Sequence, residues 1–240
     1  MSTTMETTIG QMVTVRPNRA RLFESLGLDY CCGGKKPLAV ACAEKGMDAA
    51  TVLRLVDAFD AQVPGGPGDE SWSGATLTEL ADHIERTHHA YLKTELPRLE
   101  QLVRHVAERH GDRDARLVEL RDIFLPFKAE LEAHMAEEEA VVFPACRRLE
   151  RASEEAAGEA IATDIAEMVL EHEEAGAALS RIRDVTSGFT PPAGACNTFR
   201  VMYASLAELA EDMHRHVHKE NSILFPKALE AERRLRERTR

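Results

Sequence analysis

Along the C-terminal two-thirds of the chain, apolar residues recur at alternating steps of three and four, the pattern of helices that each bury one face. This patterning appears four times, over residues 76–109, 113–149, 155–186 and 196–235. The second stripe runs Leu117, Leu120, Phe124, Phe127, Leu131, His134, Glu138 and Val141. The third runs Ile161, Ile165, Met168, His172, Ala175, Leu179 and Ile182, and the fourth Phe199, Met202, Leu206, Leu209, Met213, His216, Glu220 and Ile223. Breaks at His110-Gly-Asp, Arg151-Ala-Ser and Gly188-Phe-Thr-Pro-Pro-Ala-Gly194 separate the four. Thr76-Leu-Thr-Glu79 has the spacing of a capping box and opens the first. Four long helices with short connections predict an all-α protein built on an antiparallel four-helix bundle. Pro97 and Pro126 fall inside these spans. An interior proline costs about 3 kcal/mol, so a bend or a helix start is expected at each.

The N-terminal pattern is shorter. It gives a helical stretch at Arg19–Leu26, a Gly-rich turn at Cys31-Cys-Gly-Gly34, and two helices either side of Gly46, with Asp48 placed to cap the last. The stretch Ala61-Gln-Val-Pro-Gly-Gly-Pro-Gly-Asp-Glu-Ser-Trp-Ser-Gly74 cannot continue a helix and reads as a linker. The expected organisation is a small helical domain over 1–60, a linker over 61–75 and the bundle over 76–240. A core of about 60 residues is seldom self-sufficient, a need that a homodimer through the N-terminal module would meet. No residue pattern specifies such a contact.

Composition narrows the function classes. The apolar share is 44% and the charged share 30%, ordinary for a soluble globular protein, and only 5% of residues are aromatic. A formal charge of −11 argues against nucleic acid as a partner, because phosphate backbones are bound through Lys and Arg. No apolar run approaches the roughly 20 residues that span a bilayer, and the N-terminus lacks an apolar signal region. A cytoplasmic protein without a membrane segment is expected. Five cysteines make no even disulfide framework and read as thiols in a reducing compartment.

The apolar stripes carry the chemistry. His134, Glu138, His172, His216 and Glu220 sit at core positions, where a polar group is costly unless something satisfies it. His134 and Glu138 are four residues apart, as are His216 and Glu220, and Phe143-Pro144 and Phe225-Pro226 follow each pair at matching distance. Residues four apart share a helix face, so each pair can ligate from one side of its helix. An upstream His accompanies each half, His172 in one and His88 or His89 in the other. Leu77, Leu80 and Ile84 lead towards His88, whereas His89 begins the stripe Leu92, Leu96, Leu99 and Val103, and His89 is preferred. Glu137 aligns with Lys219 in the repeat, which selects Glu138 among the three consecutive Glu. Four imidazoles and two carboxylates suit iron or manganese better than calcium, magnesium or structural zinc. The expected cofactor is a carboxylate-bridged pair of non-haem iron ions, with room for an exogenous diatomic ligand. His83 is the candidate for orienting a ligand, and His105, His110, His214 and His218 read as ordinary helix residues.

With these residues in place, the chain resembles the hemerythrin-like proteins, and across nearly its whole length the di-iron proteins of iron–sulfur cluster repair. Asp29-Tyr-Cys-Cys-Gly-Gly-Lys35 is similar to that family's N-terminal signature. His134–Pro144, Leu170-Glu-His-Glu-Glu-Ala-Gly176 and His218–Pro226 resemble its metal-binding segments. The resemblance implies His89, His134, Glu138, His172, His216 and Glu220 as ligands. It further implies a cytoplasmic protein whose partners are iron–sulfur proteins damaged by nitric oxide or peroxide, restored by supplying iron. Nitric oxide binding or reduction at the centre is also associated with the family, and dioxygen carriers share the bundle. Whether the chain is an enzyme in its own right, as a nitric oxide reductase, is left open by the sequence.

Cys31 and Cys32 are adjacent, so a bond between them would depart from ordinary disulfide geometry. Gly33, Gly34, Lys35 and Lys36 beside them would leave the backbone open and favour thiolates, which gives the pair a thiol role in handling iron as the alternative to a plain turn motif. Cys42, Cys146 and Cys196 read as small core residues.

Overall fold

The computed structural model describes residues 3–62, 72–151 and 161–238. Among them the N-terminal helices are α1 (Ile9–Val15), α2 (Arg19–Leu26), α3 (Leu38–Glu44) and α4 (Ala49–Gln62). The long rods follow as α5 (Leu77–Ile84) running into α6 (Ala90–His110), α7 (Arg116–Glu137) into α8 (Phe143–Arg151), α9 (Ile161–Val185), and α10 (Asn197–Lys219) into α11 (Phe225–Arg238). The expected linker falls largely on residues 63–71, outside the described ones, as does the predicted start of the third helix. No described helix is long and apolar enough to cross a membrane.

Two compact units emerge. The first holds the chain up to Ala81, the segment from Arg147, and the chain from His214 onward; the second holds Asp82–Cys146 and Ile161–Met213. The second is the helical bundle. Lys93 reaches Glu139 at 2.7 Å and Lys128 reaches Glu100 at 3.3 Å, so α6 and α7 run antiparallel. Arg116 bonds Ser187 beyond the end of α9, while His134 bonds Glu171 within it, so α7 and α9 are antiparallel too. His88 meets Asp212 and His110 stacks near Phe199, which sets α6 against α10 in the same sense. The predicted stripes line this interior: Leu92, Leu99, Leu120, Phe124, Met168, Ile182, Met202 and Leu209 are all buried. Pro97 and Pro126 lie within α6 and α7, and neither starts a helix.

In the first unit, Ile9, Met12, Phe23, Leu28, Tyr30, Leu38, Val52 and Val56 form one cluster. Its local signals are clear. Thr8 and Gln11 cap α1 reciprocally, a pattern of Thr followed three residues later by Gln that marks a helix missed by the sequence reading. Gly27 ends α2 at φ 66°, and Leu28 N–H closes back on Phe23 O at 2.9 Å, which a Cβ at position 27 would resist. Asp48 caps α4 through Thr51 N–H at 2.9 Å, as expected, and Thr76 and Glu79 form their capping box. Arg19, itself buried, joins α2 to α4 through both oxygens of Asp60, at 3.1 and 2.5 Å.

Candidate metal centre

Among the described residues three π-helical turns punctuate the rods, and each touches the predicted ligands: Glu85–His89, Glu138–Val142 and Glu220–Leu224. In each, an N–H reaches back five residues rather than four: Ala90 to Glu85, Phe143 to Glu138, and Phe225 to Glu220. Two of the turns have a visible cause. Pro144 and Pro226 follow them, and a proline lacks the N–H and crowds the carbonyl four residues earlier, here Ala140 and Ser222. Widening the turn relieves both problems without ending the helix. The third turn has no proline, and nothing in its sequence accounts for it.

Each wide turn also slips the buried face by one residue. Val141, expected in the stripe, is 42% exposed, while Val142, Phe143 and Cys146 are buried in its place. His88 and His89 face different partners. Both are buried, but His88 Nδ1 pairs with Asp212 at 2.8 Å, whereas His89 Nε2 lies 3.3 Å from Glu138 Oε2.

Glu138 is fully buried and organises the bundle side of the site. Its Oε2 faces His89, while its Oε1 faces His134 Nε2 at 3.4 Å and His172 Nε2 at 4.0 Å. His134 and His172 bring their Nε2 atoms within 3.0 Å of each other. Two outer carboxylates orient these rings. His89 Nδ1 is 2.8 Å from Glu139 and His134 Nδ1 is 2.6 Å from Glu171. Each Nδ1–H donates outward, so each Nε2 lone pair is turned in. Burial pushes the Glu139 carboxyl up, but hydrogen bonds from Lys93 and His89 outweigh it and hold the group below its ordinary value. Glu139 therefore stands as an anion facing its imidazole.

In the other unit, His216 Nε2 lies 2.9 Å from Glu220 Oε1, with both side chains fully buried. The local design repeats that of Glu138: a buried Glu opens a π turn, a His precedes it by four, and Phe-Pro follows.

The donor set fits a metal ion. Inward-turned lone pairs of His89 and His134, a third imidazole from His172, and a carboxylate without exposure make an electron-rich pocket in a medium that penalises uncompensated charge. A proton can bridge one pair of these atoms, whereas a cation satisfies all of them together. The ligand atoms of His134, Glu138 and His172 lie within 4.8 Å of one another, close enough to share one ion.

Sequence reasoning overlooked Glu139 and Glu171. Each adjoins a predicted ligand, Glu138 or His172, but only the neighbouring helix shows which ring each one faces. His83, expected to orient a ligand, packs edge-on against His88 at 5.9 Å. Among the thiols, Cys42 and Cys146 are buried as expected, but Cys196 is exposed and 3.6 Å from His110 Nε2. The Cys31–Cys32 turn also differs. Asp29, not a lysine, faces it, accepting from the Cys31 and Cys32 N–H groups at 3.0 Å and from Cys31 Sγ at 3.1 Å. Lys36 pairs instead with Glu44 at 2.7 Å. The Cys32 sulfur, burial and Asp29 all raise the Cys31 pKa, so the thiol form is favoured there.

Residues 80–228 match the hemerythrin HHE cation binding domain, and residues 5–59 match a domain of unknown function, ScdA_N. The iron-sulfur cluster repair protein YtfE of Escherichia coli O157:H7 is 34% identical over 93% of this chain and 97% of its own. The YtfE protein of Shigella boydii serotype 4 is 33% identical over the same shares. That of Musicola paradisiaca is 32% identical over 95% of this chain and 98% of its own.

Proposed function

Since the chain belongs to the hemerythrin HHE cation-binding family and, along nearly its whole length, to the iron–sulfur cluster repair proteins, we propose that it repairs damaged iron–sulfur clusters through a di-iron centre. His89, His134, Glu138, His172, His216 and Glu220 hold the two ions. The observation that carries this reading is the fully buried Glu138, which turns one oxygen towards His89 and the other towards His134 and His172. A carboxylate so placed can bridge two cations. The repeated design around His216 and Glu220 supplies the counterpart.

Iron bound there would supply a redox-variable cation with open coordination for a small molecule such as nitric oxide or dioxygen. The chain's own residues do the rest. Glu139 and Glu171 hold the Nδ1 protons of His89 and His134, which keeps their Nε2 atoms available as ligands. Complete burial of His89 and Glu138 keeps water from competing for the same positions. Glu138 and Glu220 could bind through one oxygen or two, so they would tolerate a change in ionic charge. In this reading iron is also the cargo, released to a damaged cluster in the cytoplasm.

The test is recovery of a nitric-oxide-inactivated iron–sulfur dehydratase by the iron-loaded protein and by a Glu138→Ala, Glu220→Ala double variant. The intact protein is expected to restore activity and the variant to leave the enzyme inactive. If the intact protein binds iron and restores nothing, repair is wrong, and the centre serves nitric oxide chemistry or sensing instead.

A further inference from the structure

The Cys31–Cys32 turn is held from two sides by the segment that carries His216 and Glu220. On one side stands Tyr30, fully buried, with its ring edge-on to His214 at 6.1 Å and to His218 at 5.4 Å. His218 Nδ1 donates to the Tyr30 carbonyl at 3.4 Å, and its Nε2 is 3.5 Å from Thr14 Oγ1 on α1. The Tyr30 hydroxyl donates to Glu24 at 2.7 Å, which fixes the ring from its far end.

On the other side, α1 is wedged between the same turn and the wide turn that Glu220 opens. A methyl group on Gly10 would stand 2.8 Å from both the Gly34 carbonyl oxygen and Ser222 Oγ. Gly10 N–H also donates to Gly34 O at 2.9 Å. Ser222 is the third residue of the Glu220–Leu224 turn, and His218 lies midway between His216 and Glu220. The Cys turn is itself stiff: the Asp29 carboxylate accepts from the Cys31, Cys32 and Gly33 N–H groups. Cys31 is buried and Cys32 half-buried, so Cys32 is the more accessible of the two.

We propose that these contacts make the His216–Glu220 segment and the Cys31–Cys32 turn one coupled element, in which His218 and Gly10 are positioning residues that report the metal state of Glu220 to the Cys32 thiol. The inference rests on Glu220 being a ligand, as argued above. A carboxylate that closes on a cation draws its own turn with it. Contacts too tight to admit a methyl group pass such a displacement on rather than absorbing it. Coupling between two binding equilibria is reciprocal, so a reversible ligand of Cys32 would alter iron affinity by the same factor that iron alters its binding.

The experiment measures Cys32 alkylation by iodoacetamide in the full chain, iron-loaded and chelator-stripped, with iron counted in the same samples. The intact protein should show rates that differ by about fivefold or more between the two states. His218→Leu and Gly10→Ala should bring the two rates together while helicity and iron content persist. His218→Asn, which keeps a donor for the Tyr30 carbonyl, should restore the difference. If Gly10→Ala fails to fold, the His218 pair decides alone. Equal rates in an intact protein that binds iron and repairs clusters would overturn the coupling and leave the function standing. A difference that survives His218→Leu would overturn it too, and an intact protein that binds no iron would bring down both readings.

Discussion

Glu139 and Glu171 show how much rests on groups that need not touch a metal. Each accepts from the outward nitrogen of a His ring that faces Glu138, fixing which nitrogen faces inward. Glu139 is further held as an anion by Lys93. Replacing such an outer partner usually costs ten- to a hundredfold in metal affinity. Glu139→Gln and Glu171→Gln should each lower iron affinity by about that factor in chelator competition. Glu137→Gln, at an exposed neighbour, should leave it unchanged. Equal affinities across all three variants would remove the orienting role.

The wide turns are the informative feature at the level of elements. Those opened by Glu138 and Glu220 let long helices pass through Phe-Pro without breaking, and they rotate the buried face by one residue just after a Glu that points inward. Val141 and Val142 report that rotation directly, one 42% exposed and the other fully buried. Val142→Asp should cost about 3 kcal/mol or more in urea denaturation, because it buries a carboxylate. Val141→Asp should stay within about 0.5 kcal/mol. An ordinary α-helical turn, with Val141 in the stripe, would give the reverse order.

At the scale of the whole molecule, the N-terminal module does not stand alone. Its helices share a unit with the chain from His214 onward, and α1 packs on the Glu220–Leu224 turn, so surface that a core of about 60 residues cannot cover is covered in cis. Arg19 and Asp60 tie the module internally. Burial raises the Asp60 pKa, but hydrogen bonds from Arg19 and Arg16 lower it further, leaving it below its ordinary 3.8. A carboxyl depressed on folding contributes stability that is complete above its unfolded pKa and is lost as pH falls through the folded value. Arg19→Met should therefore lower stability by about 2 kcal/mol at neutral pH, less than for a fully buried pair because Arg16 remains. The variant should also lose less than the intact protein on acidification below about pH 4, as read from urea midpoints along a pH series. Parallel pH curves would show that the pair contributes nothing.

Much of this architecture is legible in local sequence. Periodicity marks the long helices because one face of each must leave water. Thr76, Glu79 and Asp48 mark helix starts because orphan N–H groups need acceptors. The repeat of His, Glu and Phe-Pro singles out the buried His and Glu positions because a polar group in an apolar stripe needs a reason to be there. Tertiary structure decided what depends on partners distant in sequence. His88 and His89 are told apart by partners on other helices, Asp212 for the one and Glu138 for the other. Glu139 and Glu171 acquired their roles only when a neighbouring helix set an imidazole against them. Periodicity records how a helix meets water, whereas hydrogen-bond partners across helices are fixed only when the helices pack.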